Sequence, residues 1–435
     1  MNYSTPQKKR MVLVLFMIIL FTNCDYGNKY NGYRLKYIDN ENKKEKVMIN
    51  SLDSMIDDWW KNFAENRHNI IDYFKQQSNF DISDFMNNSL HRIHPQLMYE
   101  YGPAVMKDGY RLVITPENRK DLRPLTNRIL QKAPNFPDWE FYPYRLAESF
   151  DEANETVKQR TGGKIDDLLV LTNISEINTI ELIFIRSGIE PEEEKRQAFN
   201  DAFIGLESFL GEEMLDKWIG TIDVIGQIPD DEQPIEMKEL KELIESEKAK
   251  IRSSLFKKPL YEYAGNAEWI GYKLKPKESE DYILKADLFA ASTMMPKVFQ
   301  IFHSDQLFYS ERFSNFNETF LFVKIDEWQN LQDNDENWKN KVIDILEQEI
   351  EGSKLGACIG SGTGLRYSYL DLACIDVVKS AQIIKQTLQK INVSKRSWIQ
   401  FYDSDLSTEW IGIWPDSPPP PMQNHEIQEI EEEGT

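Results

Sequence analysis

The chain has 435 residues, of which 41% are hydrophobic and 12% aromatic, enough for a packed core and against global disorder. Lys and Arg number 51 against 72 Asp and Glu, a formal charge of −21. A field of that sign repels nucleic acid and anionic lipid head groups, so no nucleic-acid role is expected; it favours solubility first and a basic protein partner second.

The first predicted element is an export signal. Lys8, Lys9 and Arg10 precede an apolar run from Met11 to Phe21, and Thr22, Asn23 and Cys24 follow. A positive n-region, a short h-region and a cysteine at the cleavage point form the pattern. It resembles a bacterial lipoprotein signal, although Asn23 stands where a small residue is usual and Phe21 is bulkier than the usual Leu. The resemblance implies lipidation of Cys24 and a chain anchored to a bacterial membrane in the cell envelope, on the extracytoplasmic side. An uncleaved membrane helix is the rival reading. The run would rise only about 16 Å, about half the hydrocarbon thickness. An ordinary secretory cleavage site is the third option.

Residues 25–46 are polar and read as a flexible tether. A first α+β domain is expected over 47–232. Leu52, Ile56, Trp59, Trp60, Phe63 and Ile70 recur at helical spacing and predict a helix over 51–77. Adjacent on it, Trp59 and Trp60 point about 100° apart, so one is expected in the core and the other at its edge. A second helix is expected over 81–93, stopped before Pro95. A β-α-β run follows: a strand Tyr110–Thr115, a helix opened by Pro116 and running to Lys132, and a strand Trp139–Tyr144. Strands Asp166–Leu171 and Thr179–Arg186, a helix from Glu192 to Leu210 ending at Gly211, and a strand Trp218–Ile225 complete the domain. The charge-rich segment 233–260 predicts an exposed linker helix.

A second α+β domain is expected over 261–415. Strand-like runs are Trp269–Leu274, Tyr282–Leu288, Lys297–Phe302 and Thr319–Ile325, with a helix over 336–351. A hairpin over 355–376, a helix over 378–391 and strands over 397–402 and 409–414 close it. Hairpin, helix and a Trp-Ile-Gly triplet occur in both halves, at Trp218-Ile219-Gly220 and Trp410-Ile411-Gly412, at nearly the same spacing. The fold class is therefore read as α+β: two tandem mixed α/β domains with antiparallel sheets and packed helices, their relatedness resting on this repeat. From 416 to 435 the chain reads as a disordered tail, polyproline at Pro418–Pro421 and then acidic.

Three constellations could carry chemistry. Asp403, Asp405 and Glu409 follow a strand; they could bind calcium or act as an acid and base pair, or Asp-Ser-Asp could simply make a turn. His91 and His94, three apart on a helix, could ligate a metal, although no third ligand appears at a diagnostic spacing. Gly360, Gly362 and Gly364 precede a strand, not a helix, so a hairpin loop is preferred to a phosphate site. No Gly-x-Ser-x-Gly elbow is present. Apart from Cys24, the cysteines are Cys358 and Cys374. A hairpin centred near residue 366 would set them opposite each other, and a disulfide or two buried thiols both fit. No cofactor is expected.

Three stretches carry a second resemblance: LMYEYGP with RLVITPENRKDLRPL and APNFPDWEFYPYR, then GTGLRYSYLDLACID, then WIQFYDSDLSTEWIGI. They resemble bacterial proteins of unknown function, and the resemblance implies no activity or site residue. The expectation is a membrane-anchored, non-catalytic binding module, in one version an acidic protector of a basic protein partner. The alternatives are a hydrolase or metal-dependent enzyme using the carboxylates near residue 405, and a structural envelope lipoprotein.

Overall fold

The computed structural model describes residues 43–189, 192–263, 267–304, 306–326 and 338–421. Cys24, the signal, most of the tether and the acidic end of the tail lie outside them. Among the described residues, no helix is long and apolar enough to cross a membrane. The chain is α+β, and its described residues form three separate sheets.

Helix α1 (Lys43–Phe74) presents Leu52, Ile56, Trp59, Trp60, Phe63 and Ile70 to the first core. Both tryptophans are buried, because α1 is covered on two sides. Trp59 packs on Phe85 of α2 (Ile82–Asn88), and Trp60 donates its indole N–H to the Ile129 carbonyl at 2.8 Å. The expected second helix is broken at Ser89, after which α3 spans Leu90–Ile93. Strands β1 (Met98–Pro103), β2 (Tyr110–Thr115) and β3 (Trp139–Tyr142) form the first sheet in that order; β2 and β3 are parallel, joined by α4 (Arg123–Gln131). The expected β-α-β run is present, but Pro116 does not open its helix. Glu117 takes a left-handed backbone (φ 51°), and it is Pro124 that occupies the first turn of α4.

The second sheet has its own core. Helix α5 (Phe150–Thr161), not expected above, starts at a capping box between Ser149 and Glu152 and ends at left-handed Gly162. Strands β4 (Leu169–Ile174) and β5 (Ile180–Ile185) form a hairpin. Helices α6 (Glu192–Leu210) and α7 (Glu212–Trp218) then cross over to β6 (Ile219–Ile225), parallel to β5. The two-residue β7 (Ile235–Glu236) pairs with β4. Helix α8 (Leu240–Ser254) is not a free linker: Leu240, Ile244 and Ile251 are buried in this second core.

The third sheet gathers β8 (Ile270–Lys273), β9 (Leu288–Thr293), β10 (Thr319–Asp326), β11 (Gly356–Gly364), β12 (Tyr367–Cys374), β13 (Ser397–Phe401) and β14 (Trp410–Gly412). Their order is β14-β13-β10-β12-β11-β9-β8, antiparallel throughout. Both faces are covered, which is why β10, TFLFVKID, reads as a nearly continuous buried run. Helices α10 (Trp338–Gly352) and α11 (Val377–Lys390) cover one face. Helix α9 (Pro296–Phe302) lies on the other; this stretch was expected as a strand, but Pro296 in its first turn starts a helix.

The repeat does not extend to the sheets. β5 and β6 are neighbours, whereas β10 lies between β12 and β13; Trp218 ends a helix, whereas Trp410 begins an edge strand. The polyproline stretch is docked, not solvated: Pro418 accepts the Trp398 indole N–H at 2.6 Å, and Pro420 is buried.

Cys358 and Cys374 are free and buried. Cys358 pairs with Leu372, and Cys374 with Gly356, because the turn lies just before residue 366 and a bulge between Cys358 and Gly360 shifts the register further. That leaves the two cysteines diagonal, at a spacing of about 7–8 Å between α-carbons, too wide for a disulfide without backbone movement.

Candidate functional site

Two of the three predicted carboxylates, Asp403 and Asp405, line a cleft of about 270 Å³ where α4, α7 and the third sheet meet. Strand β13 delivers them, and residues Ser404–Leu406 turn in a short 3₁₀ helix. Asp403 accepts the Ser310 N–H at 2.8 Å on one oxygen and the Ser310 hydroxyl on the other. The Ser310 hydroxyl in turn accepts the Phe320 N–H at 3.0 Å. Ser404 is zipped to Phe308 through backbone and side chain, both at 2.9 Å. The Asp-Ser-Asp segment is therefore a turn laced to residues 308–310. Its acids also face the cleft.

Asp405 is held differently. Tyr309 donates to one oxygen at 3.1 Å and Tyr144 to the other at 3.5 Å. Tyr144 follows the first sheet, so this contact ties the first and third sheets together. The Tyr144 ring lies under the guanidinium of Arg123, 3.9 Å from its centroid. Arg123 is fully buried and donates to Glu212 at 2.7 Å, Asp216 at 3.0 Å, the Pro143 carbonyl at 2.6 Å and Thr115 at 3.2 Å. The second oxygen of Glu212 accepts the Arg145 N–H at 2.9 Å. One arginine thus joins α4, α7 and the segment after β3.

Burial sets the electrostatics. It raises the Asp403 carboxyl to about 6, against the hydrogen bonds from Ser310 that favour the ionised form. Burial also raises Asp405, opposed by Arg123, the Tyr309 hydroxyl, Lys120 and Lys217. It raises Tyr144 and Tyr309 as well, so both phenols remain donors. Burial would raise Glu212 too, but Arg123 and the hydrogen bonds from Thr115 and Arg145 hold it below the usual range.

Glu409 does not line the cleft. It is buried, with its N–H donating to the Leu406 carbonyl at 2.9 Å. His91 and His94 are not brought together with acids or cysteines: among the described residues, no group of three such side chains could hold a metal. Both His91 ring nitrogens are engaged, with Asn87 and the Leu97 carbonyl, each at 2.8 Å. His94 is buried, accepts the Gln96 N–H at 3.2 Å, and is pushed down to about 4 chiefly by burial. The two histidines stabilise the end of α3.

The tyrosines and Arg123 were missed because they reach the acids across long sequence separations, from Tyr144 to Asp405 in one case. The local signal available was the segment FYPYR, in which Tyr144 and Arg145 directly follow the strand that ends at Tyr142. Compared with known protein families, curated proteins and solved structures, the chain matches none of them. The reading of the site therefore rests on its own geometry.

Proposed function

We propose that the chain is a non-catalytic interaction module, held on the outer side of a bacterial membrane by lipid on Cys24, and that its partner is a basic protein. The observation that carries the reading is the commitment of the cleft's acids. Asp403 gives both oxygens to Ser310, and Asp405 gives both to tyrosines. A carboxylate fixed in this way presents negative charge in one geometry but is poorly placed to shuttle a proton. The excess of 72 acids over 51 bases adds long-range attraction for a cationic surface. Crosslinking in intact cells, followed by detergent extraction and pull-down beside a Cys24→Ala form, tests it. One partner captured at near-equal amounts only with the tethered form is expected. A membrane-bound protein that comes down alone would sink the reading.

A second reading, a hydrolase using the pair as acid and base, is favoured by one observation: the Asp403 carboxyl is raised to about 6, near the range of a general acid at neutral pH. Asp403→Asn with Asp405→Asn and Glu409→Gln separates the two. An enzyme keeps its fold and loses turnover; a structural turn loses stability.

A further inference from the structure

The third sheet holds a second polar cluster, on the face beneath α9. Lys285 enters it from the segment joining β8 and β9, not from a helix or strand. Its ammonium donates to Asp371 of β12 and to the Tyr402 hydroxyl. Around it stand the rings of Tyr402 at 4.7 Å, Phe302 and Phe322 at 4.8 Å each, and Tyr369 at 6.0 Å. Four aromatic faces with a carboxylate at the base form an ammonium cage, in which ring quadrupoles and the acid act together on a desolvated cation.

The Gly-x-Gly-x-Gly sequence makes this cage and its cover fit. A bulge between Cys358 and Gly360 turns Gly360, Gly362 and Gly364 to the face of Asp371 and Tyr369. A Cβ at Gly360 would lie 2.8 Å from the Asp371 carboxylate; one at Gly362 or Gly364 would strike Leu288 or Asp287. These glycines are therefore not a hairpin loop. They lie within β11 and leave room for Asp371 of the cage, for Asp287 at the end of its cover and for Leu288 at the start of β9.

We propose that the cage is a binding site for the lysine side chain of a basic protein partner, held shut in the free protein by the chain's own Lys285. The proposal rests on the interaction-module reading and names the chemistry of its contact. Three features support exchange over a fixed internal pair. The cover forms no helix or strand and is held largely by side chains: Asp281 accepts from Tyr367 and Arg396, Asp287 accepts from Tyr369 and from the N–H groups of Arg366 and Tyr367 at 2.9 Å each, and the Tyr282 and Leu284 carbonyls accept from Lys324 and Tyr369. Leu284, next to the inserted lysine, holds a left-handed backbone (φ 45°), a strained state for a γ-branched residue that lifting the segment would release. The cage itself is buried, but its outer wall is half-buried Phe302, next to exposed His303.

Charge sets the condition for opening. Withdrawing Lys285 alone would strand a buried carboxylate among rings, which is strongly unfavourable. Replacing it with another ammonium keeps the pair intact. The segment therefore opens only when a substitute is present, which is the differential binding a ligand needs to shift such an equilibrium. One carboxylate oxygen and one phenol suit a compact ammonium; they do not offer the forked acceptors a guanidinium uses. The depth calls for a cation on a long apolar stem.

The test uses the full chain, with n-butylammonium as probe and n-butanol as its neutral control. Hydrogen exchange over residues 279–288 is expected to rise several-fold with butylammonium and not with butanol. Lys285→Ala is expected to melt higher as butylammonium is added, in a saturable manner. The Lys285→Met/Asp371→Asn pair, which keeps the site filled and neutral, is expected to lose both responses while remaining folded. Unchanged exchange in the wild type, at concentrations that stabilise Lys285→Ala, would make Lys285 a permanent structural pair and overturn the proposal; so would failure of both to respond. If the pull-down partner still binds the double variant at full strength, the cage falls and the interaction reading stands. If butylammonium opens the segment but no partner is captured, the interaction reading falls, and this occupant with it.

Discussion

At the junction of the three sheets one buried arginine is shared between two acids of α7; inside the third sheet two buried lysines are each set against aromatic rings. Arg123 meets Glu212 and Asp216 and stacks on Tyr144. Lys285 sits in its four-ring cage with Asp371, while Lys324 donates to the Tyr282 carbonyl over the Tyr367 ring, 4.0 Å from its centroid. Each region solves the desolvation problem with the chemistry of its cation. Guanidinium carries several donors in a fixed plane, so it suits a crossing where carboxylates and carbonyls converge. Ammonium is a point charge that one acceptor and ring faces can hold. Burial then moves titrating groups in opposite directions, Asp403 upward beside the junction and Lys324 downward in the sheet, while Arg123 holds Glu212 low.

The largest effect is expected at the junction. Arg123→Met leaves Glu212 buried with its main cation gone and removes the tie between α4 and α7. Loss of one partner from such a buried set costs about 3–5 kcal/mol. Urea unfolding should show a lower midpoint. If stability fell by less than about 1 kcal/mol, solvent would have to reach the acids, and the arginine would not be the keystone of the crossing.

Lys324 sharpens the contrast from the other side. Burial lowers its amine from 10.5 to about 7, with Asp287 and Asp281 opposing the shift. Between these values the unfolded chain holds a proton that the folded chain releases, so stability rises with pH across the window and is lowest below 7. At about 1.4 kcal/mol per pH unit the whole step is on the order of a few kcal/mol. Lys324→Met should flatten that slope and stabilise the protein at pH 6, where the wild type carries the buried charge. Denaturant midpoints measured from pH 6 to 10 decide it: parallel wild-type and variant profiles would mean that Lys324 titrates like a surface lysine.

How legible these regions were in the sequence follows from the range of the forces involved. The long helix through Trp59 and Phe63, the helix to Leu210 and the hairpin near 366 are set by local periodicity and turn residues, and they stand where expected. Helix α5 was legible too, since Ser149 and Glu152 spell its capping box; its weak apolar stripe, Ala153 and Val157, hid it. Pro116 misled because a strand-to-helix turn with left-handed Glu117 intervenes before Pro124. The glycine run could not be placed, because its role depends on a bulge and on side chains from residues 287–288 and 371. Of the site, only the acids of Asp403 and Asp405 were legible. Arg123, Tyr144 and Glu212 become neighbours only through packing of separate sheets, which no local pattern encodes.

The smallest effect is also the one that tests whether the cleft's acids are structural. Burial raises Asp403 from 3.8 to about 6, so between those values the folded chain holds a proton more tightly than the unfolded chain. The sign is opposite to that of Lys324: the stability this group contributes is full below about 4 and is lost as pH rises through 6. Asp403→Asn keeps an acceptor for Ser310 but removes the titration. Its profile should therefore lack this decline, so that the wild type falls relative to the variant between pH 4 and 6. Ser310 must adapt as well, because the amide nitrogen cannot accept its hydroxyl proton. The variant should thus lose part of its stability at pH 4, where the wild-type acid is neutral, and less at pH 7, where it is a buried carboxylate. A loss that grew with pH would mean that the ionised form is the stabilising one. The hydrogen bonds from Ser310 would then outweigh burial, and Asp403 would be a low-pKa structural anion with no claim to act as an acid.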